Sequence, residues 1–175
     1  MKIVLNQCYG GFSLSNMAQA LYIMANGQTP YFYKDCSTYS KDGAWKRTDK
    51  YVHVDLKDIE TTEWRLYCTT QYQGEILHDY PEHIFRDREI DRCDPILVSI
   101  VEIIGQEASS KFAKLNILEV DDDTLYRIEE YDGYEYLITP DDPDWTMATN
   151  NDIDDDQKIR IRDIYETIRV HKGEE

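Results

Sequence analysis

Between a short apolar run, KIVLNQ (residues 2–7), and a run with helical spacing from Asn16 to Asn26, the chain reads CYGGFSLS. Two adjacent glycines remove the β-carbon from two successive positions, so the backbone there turns sharply and can be approached closely. A strand that passes through glycines into a helix sets a β–α unit at the start of the chain, against which later elements must pack. In the helical run, Met17, Leu21 and Met24 share one face with Ala20 beside them, and Gly27 takes the C′ position that stops the helix.

Further along, PYFYKDC (Pro30 to Cys36) reads as a strand and Ser37 to Asp49 as a polar loop. YVHVDL (Tyr51 to Leu56) and WRLYCTTQY (Trp64 to Tyr72) read as further strands. In RCDPILVSIVEIIGQEAS, Asp94 suits an N-cap and Pro95 the first helical position, after which Ile96, Leu97, Ile100, Val101 and Ile104 form a wide apolar stripe. Leu115 to Val120 is a strand, and Asp132-Gly133 between two alternating runs signals a tight hairpin. The expected fold class is α+β: a mainly antiparallel sheet packed against two or three helices, a single domain over residues 1–139. Residues 140–157 read as an acidic connection, and 158–175 as an amphipathic terminal element using Ile161, Ile164, Tyr165 and Ile168.

Length and composition agree with a folded domain. At 175 residues, with 41% hydrophobic and 12% aromatic content, the chain can bury a real core. Fourteen tyrosines place many hydroxyls at the edge of that core or on contact faces. No apolar stretch reaches the roughly 18 to 20 residues that cross a bilayer, and the first residues lack a secretory apolar region, so a cytosolic protein with no membrane partner is expected. Cys8, Cys36, Cys68 and Cys93 are widely spread and contain no CxxC, which reads as four reduced thiols and no metal or other cofactor. His78 and His83 flank Pro81, which breaks any helix that would align them, and NNDIDDDQ lacks both the glycine and the closing glutamate of a calcium loop.

The net charge of −16 is unevenly held. Residues 121–157 carry fourteen of the 35 acids against the single base Arg127, whereas residues 1–120 carry seventeen acids and thirteen bases. The body of the protein is therefore close to balanced and can present a local basic site, because potentials fade over a Debye length of about 8 Å at physiological salt.

The opening junction has two readings. As structure, it is a tight strand-to-helix turn. As chemistry, a helix start leaves backbone N–H groups unpaired at the positive end of the helix dipole, and Gly10 and Gly11 would admit a phosphate or carboxylate to them. Ser13 or Ser15 would cap the helix, Tyr9 and Phe12 would flank a base or ribose, and Asn6 and Gln7 would add amides at the strand end. The lysine of a P-loop is missing. Counter-charge comes from IFRDREIDRCDP, where Arg88 and Arg92, with Arg86, precede the second helix. Asp87, Glu89, Asp91 and Asp94 interleave with them, so a solvated salt-bridge ladder is the competing reading.

These segments carry a resemblance. KIVLNQCYGGFSLS, then IFRDREIDRCDPILVSIVEIIGQEASSKFAKLNILEV and EEYDGYEYL, resemble a family of small proteins encoded by tailed bacteriophages and prophages, over roughly residues 1 to 16 and 84 to 138. The acidic segment and the tail after Thr139 extend past where such proteins commonly end. The resemblance supplies a setting and not a mechanism: a phage accessory protein in the host cytoplasm.

Three functions fit that setting. The expected one is a non-enzymatic anti-defence binder that sequesters a small anionic, nucleotide-like host ligand in a pocket of Asn6, Tyr9, Gly10, Gly11, Phe12, Ser13, Arg88 and Arg92, as a homo-oligomer and without direct nucleic-acid binding. The second is an inhibitor of a host protein that uses tyrosine-rich faces or the acidic ribbon, imitating nucleic-acid charge. The third is a small hydrolase or transferase with Cys8 as nucleophile and His53, His78 or His83 as base.

Overall fold

The computed structural model of the protein describes residues 1–39, 45–59 and 66–140. In chain order these form β1 (Lys2–Asn6), α1 (Asn16–Ala25), β2 (Tyr31–Asp35), β3 (Thr38–Tyr39), β4 (Trp45–Lys46), β5 (Tyr51–Val54), β6 (Leu66–Thr69), β7 (Ile76–Leu77), α2 (Pro95–Ile104), β8 (Leu115–Glu119), β9 (Arg127–Tyr131) and β10 (Tyr134–Ile138). The class is α+β with antiparallel pairing throughout. Met1–Thr139 forms one compact unit. The expected acidic connection and terminal element, from residue 141 on, lie outside the described residues.

Among the described residues the antiparallel strands are divided over four sheets. β1 pairs with β8, β9 with β10, and β3 with β4, while β2 is central in a four-stranded sheet of order β6-β2-β5-β7. The β3–β4 pair lies within the stretch read as a polar loop. The Asp132-Gly133 turn holds both residues at positive φ, 50° and 86°, the two-residue geometry whose twist suits a hairpin.

α2 forms as its sequence predicts. The Asp94 carboxylate accepts from the amides of Ile96 and Leu97 at 2.8 and 3.0 Å, Pro95 opens the helix, and Gly105 ends it at φ 58°. Its buried face, Leu97, Val98, Ile100 and Val101, meets Val4, Phe12, Leu14, Ala18 and Leu115 in one core. A second core joins Ala20 and Ile23 of α1 to Phe32, Ile59 and Cys68 of the four-stranded sheet and its connections. α1 therefore faces two cores and buries Ala18, Ala20 and Ile23, whereas Met24 of the expected stripe is exposed. Small alanines at the contact let the helix lie close to both.

The opposite face of the four-stranded sheet is aromatic. Tyr33 and His53 meet edge to face at 5.6 Å, and Tyr31 and Tyr72 pack beside them. Tyr51, Tyr67 and Tyr80 form an adjoining trio with ring centroids 5.1 to 5.9 Å apart. The Tyr33 hydroxyl accepts from the Gln73 amide at 2.8 Å, so the segment after β6 folds back over this face. No helix among the described residues is long and apolar enough to cross a membrane.

Candidate functional site

The Gly-Gly turn is occupied by the protein itself. A β-carbon on Gly10 would lie 1.6 Å from the Phe112 carbonyl oxygen, so the 112 backbone fills the place a side chain would take. Gly11 stands at φ +83°, and a β-carbon on Gly133 would lie 2.3 Å from the Gly11 nitrogen. Gly133 thus lets the hairpin turn press directly on the first loop, and Gly10 lets the 112 backbone do so from the other chain segment. The expected approach of a phosphate to this pair of residues is corrected: tight backbone packing takes that space.

Asn6 and Arg92 are corrected likewise. Asn6 is fully buried, and its side-chain amide donates to the carbonyls of Cys8 and Gly133 at 2.7 and 2.6 Å. Its side-chain oxygen accepts from the Lys114 amide, and its own amide donates to Glu135 Oε2 at 2.9 Å. Arg92 pairs with the same buried Glu135, Nη2 to Oε1 at 2.9 Å, while its guanidinium lies 3.5 Å above the buried Phe12 ring. With its other nitrogen donating to the Ile90 carbonyl at 2.8 Å, Arg92 is spent on joining β10 to the approach of α2. Tyr9 is exposed and leans on Tyr134 at 5.8 Å.

Among the described residues no histidine is hydrogen-bonded to Cys8, as the third expected arrangement would need. The Cys8 thiol donates to the Phe112 carbonyl at 3.1 Å, whereas His53 sits among Tyr31, Tyr33 and Tyr72 on the aromatic sheet face. Burial pushes the Cys68 thiol up to about 12, which keeps it neutral. Among the described residues no three His, Cys, Asp or Glu side chains converge as a metal site would need.

What opens beside the junction is a groove of about 830 Å3. Its floor is the backbone leading into α1: the Ser15 amide donates to the Ala108 carbonyl at 2.8 Å and the Ser110 amide to the Ser13 carbonyl at 3.0 Å, joining the floor to the segment after α2. On the other side the Leu14 amide donates to Asp87 Oδ2 at 2.8 Å, and the Ser13 hydroxyl to the same oxygen at 3.3 Å. The Phe85 amide donates to the Cys68 carbonyl at 2.8 Å, which brings the edge of β6 alongside. Of the expected residues, Gly10, Ser13 and Arg88 line this groove.

Two cations face the groove. The exposed Arg88 extends over Gly11, its Nη2 3.1 Å from where a β-carbon there would be, and has no ion pair among the described residues. Lys111, which sequence reasoning missed, lines the groove beside Phe112, its Nζ 5.9 Å from that ring. Tyr67, Tyr80 and Phe85 add ring surface from the sheet side, and Ser109, Ser110 and Asn16 add polar groups. Ser15 caps α1 by accepting from the Ala18 amide at 3.1 Å, and helix geometry leaves the first-turn amides of Asn16 and Met17 without an intrahelical acceptor. An exposed KF dipeptide in a polar loop was the sequence signal for Lys111, but only the Ser13–Ser110 contact shows that it belongs beside the first helix.

No family model matches the chain, and no curated protein and no solved structure matches it.

Proposed function

We propose that the groove beside α1 binds a small anionic, nucleotide-like ligand and that the protein acts by holding it without transforming it. The observation that carries this reading is that Arg88 and Lys111, both without an ion-pair partner among the described residues, line one hollow of about 830 Å3 together with four aromatic rings and the start of a helix. A volume in the range of 300 to 1,000 Å3 suits a small molecule, and mixed aromatic and polar lining suits a base with a phosphate. The arginine fork and the lysine supply charge-assisted bonds, and the helix dipole adds to the attraction. In the phage setting implied by the sequence resemblance, the ligand is a host nucleotide signal and the benefit to the phage is its removal. Holding a ligand calls for slow release, which charge-assisted bonds from Arg88 and Lys111 would favour.

The test is mass spectrometry of small molecules retained by the full-length protein after expression in a bacterial host. An anionic, base-containing compound is expected in the wild-type eluate. It should be absent from the double variant Arg88→Ala, Lys111→Ala, which should melt at the same temperature because both residues are on the surface. Equal retention by the double variant would remove the groove from consideration.

A second reading, docking to a host protein, is favoured by the exposed Tyr9, Phe112 and Tyr131. Co-purification of a single host protein, lost on Tyr9→Ser and Phe112→Ser, would select it over ligand capture.

A further inference from the structure

We propose that Asp87 selects the ligand, and that it does so by accepting hydrogen bonds from the ribose hydroxyls of a ribonucleoside phosphate. This rests on the groove binding an anionic nucleotide, and deepens that reading.

The carboxylate of Asp87 lines the groove, yet it is fixed by the protein on one side only. Oδ2 accepts from both the Leu14 amide and the Ser13 hydroxyl. Oδ1 has no hydrogen-bond donor, and the carboxylate has no cationic partner, among the described residues. An ionised carboxylate offers about four acceptor sites, so half of this group's capacity is presented to whatever enters. Its orientation is already set, which lowers the cost of using it.

The neighbours decide what can use it. Arg88 and Lys111 line the same hollow, so the groove holds two cations and one anion. A bare polyanion gains from the cations but brings no donors to Asp87 and meets it as a like charge. A nucleoside phosphate brings both kinds of group: a phosphate for the cations and a vicinal diol whose two O–H groups donate to a carboxylate. Acidic side chains read ribose in this way in dinucleotide-binding folds. The rings of Tyr67, Tyr80, Phe85 and Phe112 line the same hollow and offer it aromatic surface for a base.

The experiment is calorimetric titration of the full-length protein with the four ribonucleoside 5′-monophosphates, their 2′,3′-dideoxy counterparts and inorganic pyrophosphate. Hydrogen bonds to a charged group predict that at least one ribonucleotide binds about ten- to a hundredfold more tightly than its dideoxy counterpart. Pyrophosphate should bind more weakly than that ribonucleotide. Asp87→Asn retains an oxygen for the Leu14 amide, and should reduce the ribose preference to about threefold or less while pyrophosphate binds better. Equal affinity for ribo and dideoxy forms in the wild type would overturn the proposal whether or not the variant folds, as would an undiminished preference in folded Asp87→Asn. If the nucleotides and pyrophosphate all fail to bind, the parent reading falls and this one with it. If all bind alike, this one falls alone.

Discussion

At the scale of single residues, the glycines and the buried ion pair make sharp predictions. Gly133→Ala places a β-carbon 2.3 Å from the Gly11 nitrogen at φ +86°, so both overlap and backbone strain oppose it, and a loss of about 3 kcal/mol is expected in urea denaturation. Gly11→Ala has the positive φ but meets only the mobile tip of Arg88, and should cost about 1 to 2 kcal/mol. A larger loss for Gly11 than for Gly133 would contradict the packing described for the turn. Glu135→Ala strips Arg92 of its buried partner and leaves the Asn6 amide without its acceptor, for an expected loss of about 3 to 5 kcal/mol. Cys68 adds a pH dependence of definite sign. Its thiol ionises near 9 when solvated and at about 12 in the fold, so its contribution is whole below pH 9 and is lost as pH rises toward 12. Stability should therefore fall across that window, and less steeply in Cys68→Ala; the residual slope belongs partly to Cys93, which burial shifts in the same direction. An identical slope in Cys68→Ala would mean that the thiol is not buried as described.

At the scale of elements, what is legible in a sequence is what local chemistry decides. Asp94 and Pro95 announce α2 because a cap and a preset φ act within one turn, and Asp132-Gly133 announces its hairpin because positive φ is tolerated there. Removing the cap tests the first point: Asp94→Ala should cost about 1 kcal/mol, and up to about 2, in a thermal melt. The same substitution frees the Tyr22 hydroxyl, which donates to Asp94 Oδ2 at 3.2 Å, so Tyr22→Phe made on top of Asp94→Ala should cost less than Tyr22→Phe alone. Pairings set by distant segments were not legible. β1 lies against β8, with Lys2 opposite Glu119, and nothing in either strand names the other. α1 misled for a related reason: one helix serves two cores, so its buried positions, Ala18, Ala20 and Ile23, do not form the single stripe that periodicity seeks. The candidate site divides the same way. Arg88 and Ser13 were readable as polar groups near a helix start, but Glu135 claims Arg92 across 43 residues, and Asp87 reaches Leu14 across 73.

At the scale of the whole molecule, the net charge of −16 opposes the capture of an anion, and the groove must overcome that field locally. Residues 140–175 hold eleven acids and five bases, so they contribute −6 of the total. At about 10 mM salt the Debye length is roughly 30 Å, comparable to the width of a domain of this size, and these charges repel an approaching phosphate. At physiological salt the length falls to about 8 Å, and only charges near the groove are felt. Two dependences therefore compete: added salt weakens the attraction of Arg88 and Lys111 and also screens the repulsion of the chain as a whole. A chain ending at Thr139 should bind nucleoside monophosphates more tightly than the full chain at 10 mM salt and equally at 150 mM, with the difference in association rate. The compactness of Met1–Thr139 makes the comparison practicable. Equal binding at low salt would mean that the acidic segment's charge is not felt at the groove. Tighter binding by the full chain at both salts would make residues 140–175 part of the binding apparatus, and the groove an incomplete account of it.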